Sequence, residues 1–340
     1  MDPVTVLSSA GPTPFVRAER AVFTSARSLM GEGYRLIACS PGLTSDQKQE
    51  LTRRCPSHGG LSADSTGTAG GRAWASLPLE AGGHAVIASC AAGAEHSGRG
   101  GNRIYSRIAL LSDQDFARFF CDPMRVRATM NAWENEQTLA GPIDSLAPMN
   151  IAPPGNSREA RSAGLAWRSL PIDALRLGWI LRVMLERRPV IVNNAPTPDI
   201  AMRHLLAATP VAVRRTLSIS VGLTYAPSRP VRVAFVQAPI AALQRWGAGA
   251  DAVVVDWTAP VECGASRFDA WLEIVMELWS AGRLGDLDRL SNSLRLRDTA
   301  EHLSRVAERC RRFAAVRPSN PPMARPAGRT AKDAVRIASG

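Results

Sequence analysis

The clearest alternation of apolar and polar positions lies at 103–111. Ile104, Ser106, Ile108 and Leu110 share one face there and Tyr105 and Arg107 the other, the period of two that a strand requires. Shorter β-like runs occupy 21–26 and 34–39, the second ended by Pro41-Gly42. Runs at 73–79 and 84–90 flank Ala81-Gly82-Gly83 and predict a hairpin. Thr44, with Gln47 three residues on, forms a capping box and opens a helix to Arg54. Ser112 caps another helix, with Asp115 in its first turn and Phe116, Phe119 and Phe120 as its buried stripe. Asp122-Pro123 starts a third, in which Val126, Met130 and Trp133 recur at helical spacing.

Beyond a proline-containing stretch at 147–163 the pattern changes. An apolar helix at 172–187 precedes a continuous hydrophobic strand at 189–193, and Thr197-Pro198 begins a helix carrying Leu205 and Leu206. Strands follow at 216–222, 231–237 and 252–257, an alternation that predicts a sheet covered by helices. Ser266 caps a helix whose Phe268, Trp271, Leu272, Val275, Leu278 and Trp279 make one apolar face. Asp298 with Glu301 caps the last helix, whose stripe is Leu303, Val306, Cys310 and Phe313, with Glu301–Arg305 and Glu308–Arg312 as pairs on its wet side. The chain is therefore expected to be α/β. A mixed α+β N-terminal domain spans 1–146, a linker 147–163, a sheet-and-helix middle domain 164–260, a helical segment 261–316 and a disordered tail 317–340.

Composition fits a packed protein, with 45% hydrophobic and 21% charged residues among 340. The longest apolar run, near 175–185, is interrupted by Arg176 and Arg182, too short and too charged for a bilayer span. The first sixteen residues lack a basic n-region, so a cytoplasmic location is expected. The net charge of +11 invites a nucleic-acid reading, but all except Lys48 and Lys332 of the 41 basic residues are arginine, a bias that genome composition also produces. Part of the excess sits in the tail, where Arg317, Arg325, Arg329, Lys332 and Arg336 face Asp333 alone. No helix-turn-helix, zinc finger or aromatic-studded basic strand supports nucleic-acid binding through the arginines, which stays as a third reading.

Several chemistries are excluded. A P-loop needs Gly-Lys before Ser or Thr, and neither lysine follows a glycine, so the chain is not itself a P-loop GTPase. Ser40 sits between a strand and a helix as a nucleophile would, but Pro41 after it has no N–H to hold an oxyanion, which makes Ser40 a turn residue. The segment Glu95-His96-Ser97-Gly98-Arg99-Gly100-Gly101 packs a carboxylate, an imidazole and a guanidinium between two strands. It reads either as a tight structural connection or as an anion cradle, with Arg99, Gly100, Gly101, Arg103 and Tyr105 as ligand-binding candidates. In the enzymatic variant Glu95 and His96 are the catalytic candidates, His96 acting as general base. Cys55, His58, Cys90 and His96 are a conceivable zinc set, although their spacing matches no known finger. His84 and His204 read as satisfied structural histidines, and Arg187-Arg188 and Arg214-Arg215 as helix-end cations. No cofactor is expected.

Three stretches together resemble a known family. They are Val22-Phe23-Thr24-Ser25-Ala26-Arg27 leading into 33–43, the region from Ala94-Glu95-His96 through Arg103-Ile104-Tyr105-Ser106-Arg107, and Arg188-Pro189-Val190-Ile191-Val192 with 214–223. They are similar to the N-terminal and middle domains of the bacterial GTPase-associated proteins, encoded beside a small GTPase in NTP-dependent conflict systems, over residues 20–257. The resemblance implies a non-catalytic adaptor that binds a GTPase encoded nearby, and other proteins of the system. It implies no catalytic residues and no membrane partner.

Overall fold

The computed structural model describes residues 15–28, 31–62, 72–95, 101–134, 138–139, 142–143, 145–154, 173–226, 228–261, 264–294 and 300–316. The fold is mixed, with helices on both faces of one sheet. Its strands are β1 (Val16–Ser28), β2 (Gly31–Cys39), β3 (Ala73–Pro78), β4 (His84–Ala94), β5 (Asn102–Leu111), β6 (Met149–Ile151), β7 (Val190–Asn193), β8 (Ile219–Val221), β9 (Val233–Val236) and β10 (Val253–Asp256). They form a single ten-stranded sheet in the order β10-β7-β9-β8-β3-β4-β5-β1-β2, with β6 pairing the start of β1. The segment β3-β4-β5-β1-β2 is antiparallel throughout, whereas β10, β7, β9 and β8 run parallel.

The two halves meet where β3 pairs β8 antiparallel, with Trp74 opposite Val221, Ala75 opposite Ser220 and Ser76 opposite Ile219. The sheet therefore passes through the boundary expected from the proline-containing stretch, and part of the expected linker is itself strand β6. The expected tail, 317–340, lies outside the described residues.

Ten helices are described: α1 (Ser45–Arg54), α2 (Asp113–Arg118), α3 (Pro123–Glu134), α4 (Ala174–Leu185), α5 (Pro198–Ala208), α6 (Val211–Arg214), α7 (Ile240–Ala250), α8 (Asp269–Ser280), α9 (Leu284–Ser293) and α10 (Ala300–Val316). Strand alternation sorts them. Val22, Val86, Tyr105 and Ala109 meet Phe116, Val126 and Met130 of α2 and α3 on one face of the antiparallel half. On the same face of the parallel half, Val190, Val192, Val233 and Phe235 pack against α4, α5 and α8. The opposite face carries one core across both halves, joining Phe23, Leu77 and Ile108 to Ile191, Ala234 and Val236 beneath α1 and α7.

The capping box at Thr44 and Gln47 is present, as is the Ser112 cap accepting from the Asp115 N–H. Helix α7 was not expected, and α9 lies within the expected helical segment 261–316 without having been picked out by itself. The first contains Gly247 and Gly249, and the second is mostly polar, so neither shows a wide apolar stripe. The last helix does bury Leu303, Val306 and Cys310, and its Arg311 pairs with Glu273 of α8.

Two polar clasps reinforce the junction. Trp74 is buried, and its indole N–H donates to Asp199 of α5 at 2.7 Å. Arg127 of α3 reaches the same oxygen at 3.2 Å, with its guanidinium 5.4 Å from the Trp74 ring centroid. The second clasp corrects the reading of Arg214 as a solvated helix end. Arg214 is buried, donating to the Thr209 carbonyl at 2.7 Å and to the Phe120 carbonyl at 3.3 Å. Phe120 and Cys121 both have positive φ, so the tight turn between α2 and α3 directs the Phe120 carbonyl to that guanidinium. Asp288 of α9, 3.9 Å from Arg214, also accepts from Arg125 at 2.6 Å. Arg215 is exposed beside Asp113, as a helix-end cation should be.

Trp74→Ala should lower unfolding free energy by about 3–5 kcal/mol, the cost of emptying a buried tryptophan site. Urea denaturation measures it, and a loss below about 1 kcal/mol would show that the β3–β8 junction does not depend on this side chain.

Candidate functional site

The structure places Glu95 at the end of β4, where β4 and β5 separate, and buries it. Tyr34 of β2 reaches across β1 to this end of the sheet. Its hydroxyl donates to Glu95 Oε2 at 2.5 Å and accepts the Ile104 N–H at 3.1 Å. Its ring stacks on Phe23, with centroids 5.8 Å apart. Burial first, and the bond to Glu95 second, push the Tyr34 phenol up to about 12. The phenol therefore stays protonated at neutral pH and acts as a donor rather than a base.

Arg103 donates to the Ala92 carbonyl at 3.0 Å, and its charge acts on the Tyr34 phenol. The Glu95 N–H donates to the Gly101 carbonyl at 3.1 Å, closing the connection between the strands. Gly101 has a φ of 82°, and a Cβ built there would lie 3.6 Å from His58 Cε1, so the exposed His58 ring rests beside this turn. Tyr105 is not part of this group. It lies on the opposite sheet face, where its hydroxyl accepts the Leu139 N–H at 3.1 Å and Arg107 stacks on its ring. Among the described candidates, then, Glu95, Gly101 and Arg103 converge with Tyr34 and His58, and Tyr105 stands apart. His96, Arg99 and Gly100 lie outside the described residues.

Of the conceivable zinc set, Cys55 is buried in the core under α1, whereas Cys90 packs on the opposite sheet face beside Tyr105. The sheet separates the two sulfurs. Burial pushes the Cys55 thiol up to about 12, against the influence of Arg229, so it is not poised as a thiolate. No group of three or more potential metal-ligating side chains occurs among the described residues.

Ser40 is buried, and its hydroxyl accepts the Arg20 N–H at 2.8 Å while its own N–H donates to the Arg20 carbonyl. It ties the end of β2 to β1, near the register shift at Val22 and Phe23. His84 stacks on Phe116 with centroids 3.8 Å apart and bonds Ser76 at 2.6 Å. His204 departs from expectation. It lies edge-on to Trp279, and neither ring nitrogen has a partner among the described residues.

A polar group that the sequence did not single out occupies the carboxyl ends of β7 and β10. Asp256 accepts from Asn194 at 2.8 Å and from the Thr258 hydroxyl at 2.6 Å, and the buried Asn193 accepts the Ala238 N–H from beyond β9. The Thr258 hydroxyl, then its N–H, holds the Asp256 carboxyl below the usual range. Here the connection from β7 runs over one face of the sheet through α5 and that from β9 over the other through α7.

Residues 17–126 match the family model for GTPase-associated protein 1, N-terminal domain type 2. The matched segment runs from β1 into α3 and holds the antiparallel strands β1 to β5, Tyr34, Glu95 and the β3 edge that meets β8. The resemblance to GTPase-associated proteins is thus supported where it was read first, while the expected extension to 257 lies beyond the match. No curated protein matches the chain. No helix among the described residues is long and apolar enough to cross a membrane.

Tyr34→Phe removes a donor from Glu95 and an acceptor from Ile104, and should cost about 1–3 kcal/mol of stability. Thermal or urea unfolding measures it, and an unchanged midpoint would show the Tyr34–Glu95 bond to be dispensable. A pH dependence follows from the histidines. Burial lowers His84 to about 3 and His204 to about 4. The unfolded chain therefore binds protons that the folded chain does not. Their contribution is complete above about pH 6.5 and is lost as the pH falls toward 3–4. Between pH 6.5 and 5 the fold should lose roughly 1–2 kcal/mol per histidine, and His84→Gln should reduce that slope. Equal urea midpoints at pH 7 and pH 5 would contradict this placement.

Proposed function

We propose that this protein binds a P-loop GTPase as a non-catalytic adaptor and couples it to further proteins of a bacterial conflict system. The observation that carries the reading is the match of the antiparallel half to the GTPase-associated N-terminal domain. Two features support it. The sequence has no Gly-Lys from which to build a P-loop of its own, so nucleotide chemistry falls to the partner. The Tyr34–Glu95 group is internally bonded and its phenol is held protonated, the signature of a structural tie rather than of a general base.

The test uses the full chain and a purified P-loop GTPase, the partner this reading expects to be encoded nearby. Calorimetry should detect a complex in at least one of the GDP-bound and GTP-analogue-bound states of that GTPase. The isolated chain with GTP and Mg²⁺ should give no heat at micromolar concentrations. No complex in either nucleotide state, or micromolar GTP binding by the chain alone, would contradict the adaptor reading.

A further inference from the structure

Strand β10 ends the sheet on the parallel side, and among the described residues only β7 pairs with it. The Val253 N–H donates to the Pro189 carbonyl and the Trp257 N–H to the Asn193 carbonyl. In a parallel ladder alternate residues bond the same neighbour, so the N–H and carbonyl of Val254 and the N–H of Asp256 face away from β7. The Asp256 carbonyl lies on that outer side too, where Arg176 of α4 donates to it at 3.1 Å.

Side chains alternate along this edge as well. Val253 and Val255 turn to the core beneath α4, α5 and α8, whereas Val254 turns to the other face, against Gly247 of α7. Val254 keeps 37% of its surface exposed, and Leu175, beside Arg176 on α4, keeps 63%. A strand added here would lay one side chain on Val254 and the next toward Leu175, on opposite faces of the sheet. Folded proteins guard such edges with lysine, proline or a bulge. Between Trp246 and Val261 there is neither lysine nor arginine, and Pro260 falls after the strand.

We infer that the outer edge of β10 receives an extended strand from a protein partner, apolar at its centre and basic at both ends. Only a polypeptide backbone presents donors and acceptors at the repeat of the ladder, which names the class of partner. Charge names its sequence. Asp251, exposed, stands two residues before the strand and Asp256 ends it, about 16 Å apart along an extended chain. Cations on the added strand would answer both carboxylates. A second copy of this chain fits badly. Pairing β10 with itself across a twofold centred on Val254 would set Asp251 of each chain beside Asp256 of the other, like charges at both ends. The inference stands apart from the GTPase reading, because β10 lies beyond the segment that matches the family.

The test is fluorescence anisotropy of the full chain with a labelled peptide of alternating threonine and valine flanked by arginines. It should bind, more weakly as salt rises. The same peptide with its central amides N-methylated keeps the charge but loses the ladder, and should bind about tenfold more weakly or worse. Val254→Pro removes an N–H that β7 does not use and should weaken binding about as much. If that variant fails to fold, Val254→Lys leaves the β7 ladder intact and should have the same effect. Asp251→Asn should weaken binding, whereas Asp46→Asn, at an exposed position in α1, should change it less than about twofold. Absence of peptide binding, or equal binding of the N-methylated peptide, would overturn the proposal. So would a dimer in sedimentation that Val254→Lys dissolves, which would give the edge to a second copy.

Discussion

Three residue pairs between β3 and β8 decide the architecture. Without them the antiparallel strands and the parallel strands would be two sheets, each with an exposed edge of unpaired backbone groups. With them, the core under α1 and α7 runs unbroken from Phe23 to Val236, and no polar seam divides it. On the other face the junction is set by Trp74, which belongs by strand to the antiparallel half and by packing to the core of the parallel half. The clasps at Asp199 and Asp288 follow from that placement, since α3, α5, α6 and α9 converge only because the sheet is continuous. Buried arginine at position 214 is tolerable because the Thr209 carbonyl accepts from its Nε, the Phe120 carbonyl of a strained turn accepts from its Nη1, and the Asp288 carboxylate lies 3.9 Å from its Nη2.

This continuity bears on function. The segment that matches the GTPase-associated family ends within α3, but its β3 edge finds a partner only in the unmatched half. A partner bound to the antiparallel strands would thus be mechanically linked to the parallel strands through the β3–β8 pairing. An adaptor needs such a link: two separated surfaces on one stiff element.

Much of the fold was legible because it is local. The Thr44–Gln47 box, the Ser112 cap, the hairpin around Gly82 and the alternation at 103–111 all depend on residues a few positions apart. What was not legible is long-range. Nothing in the short apolar runs at 73–79 and 216–222 says that they pair, because sheet neighbours are chosen by packing rather than by pattern. Arg214 and Arg215 look alike in sequence, but carbonyls of Thr209 and Phe120 receive the first within the fold while the second stays exposed. The Glu95 segment stands out in the sequence, but the hydrogen-bond partner of Glu95, Tyr34, lies 61 residues away and carries no motif. Cys55 and Cys90 could be imagined together until alternation placed them on opposite faces of the sheet.

The most direct test of a single welded sheet is native-state hydrogen exchange of the β5 and β9 amides at increasing denaturant. A continuous sheet predicts that both strands exchange through the same global opening, with equal free energies and equal denaturant dependence. Amides of β7 and β9 that exchange through a separate opening at lower free energy, while β5 remains protected, would contradict it.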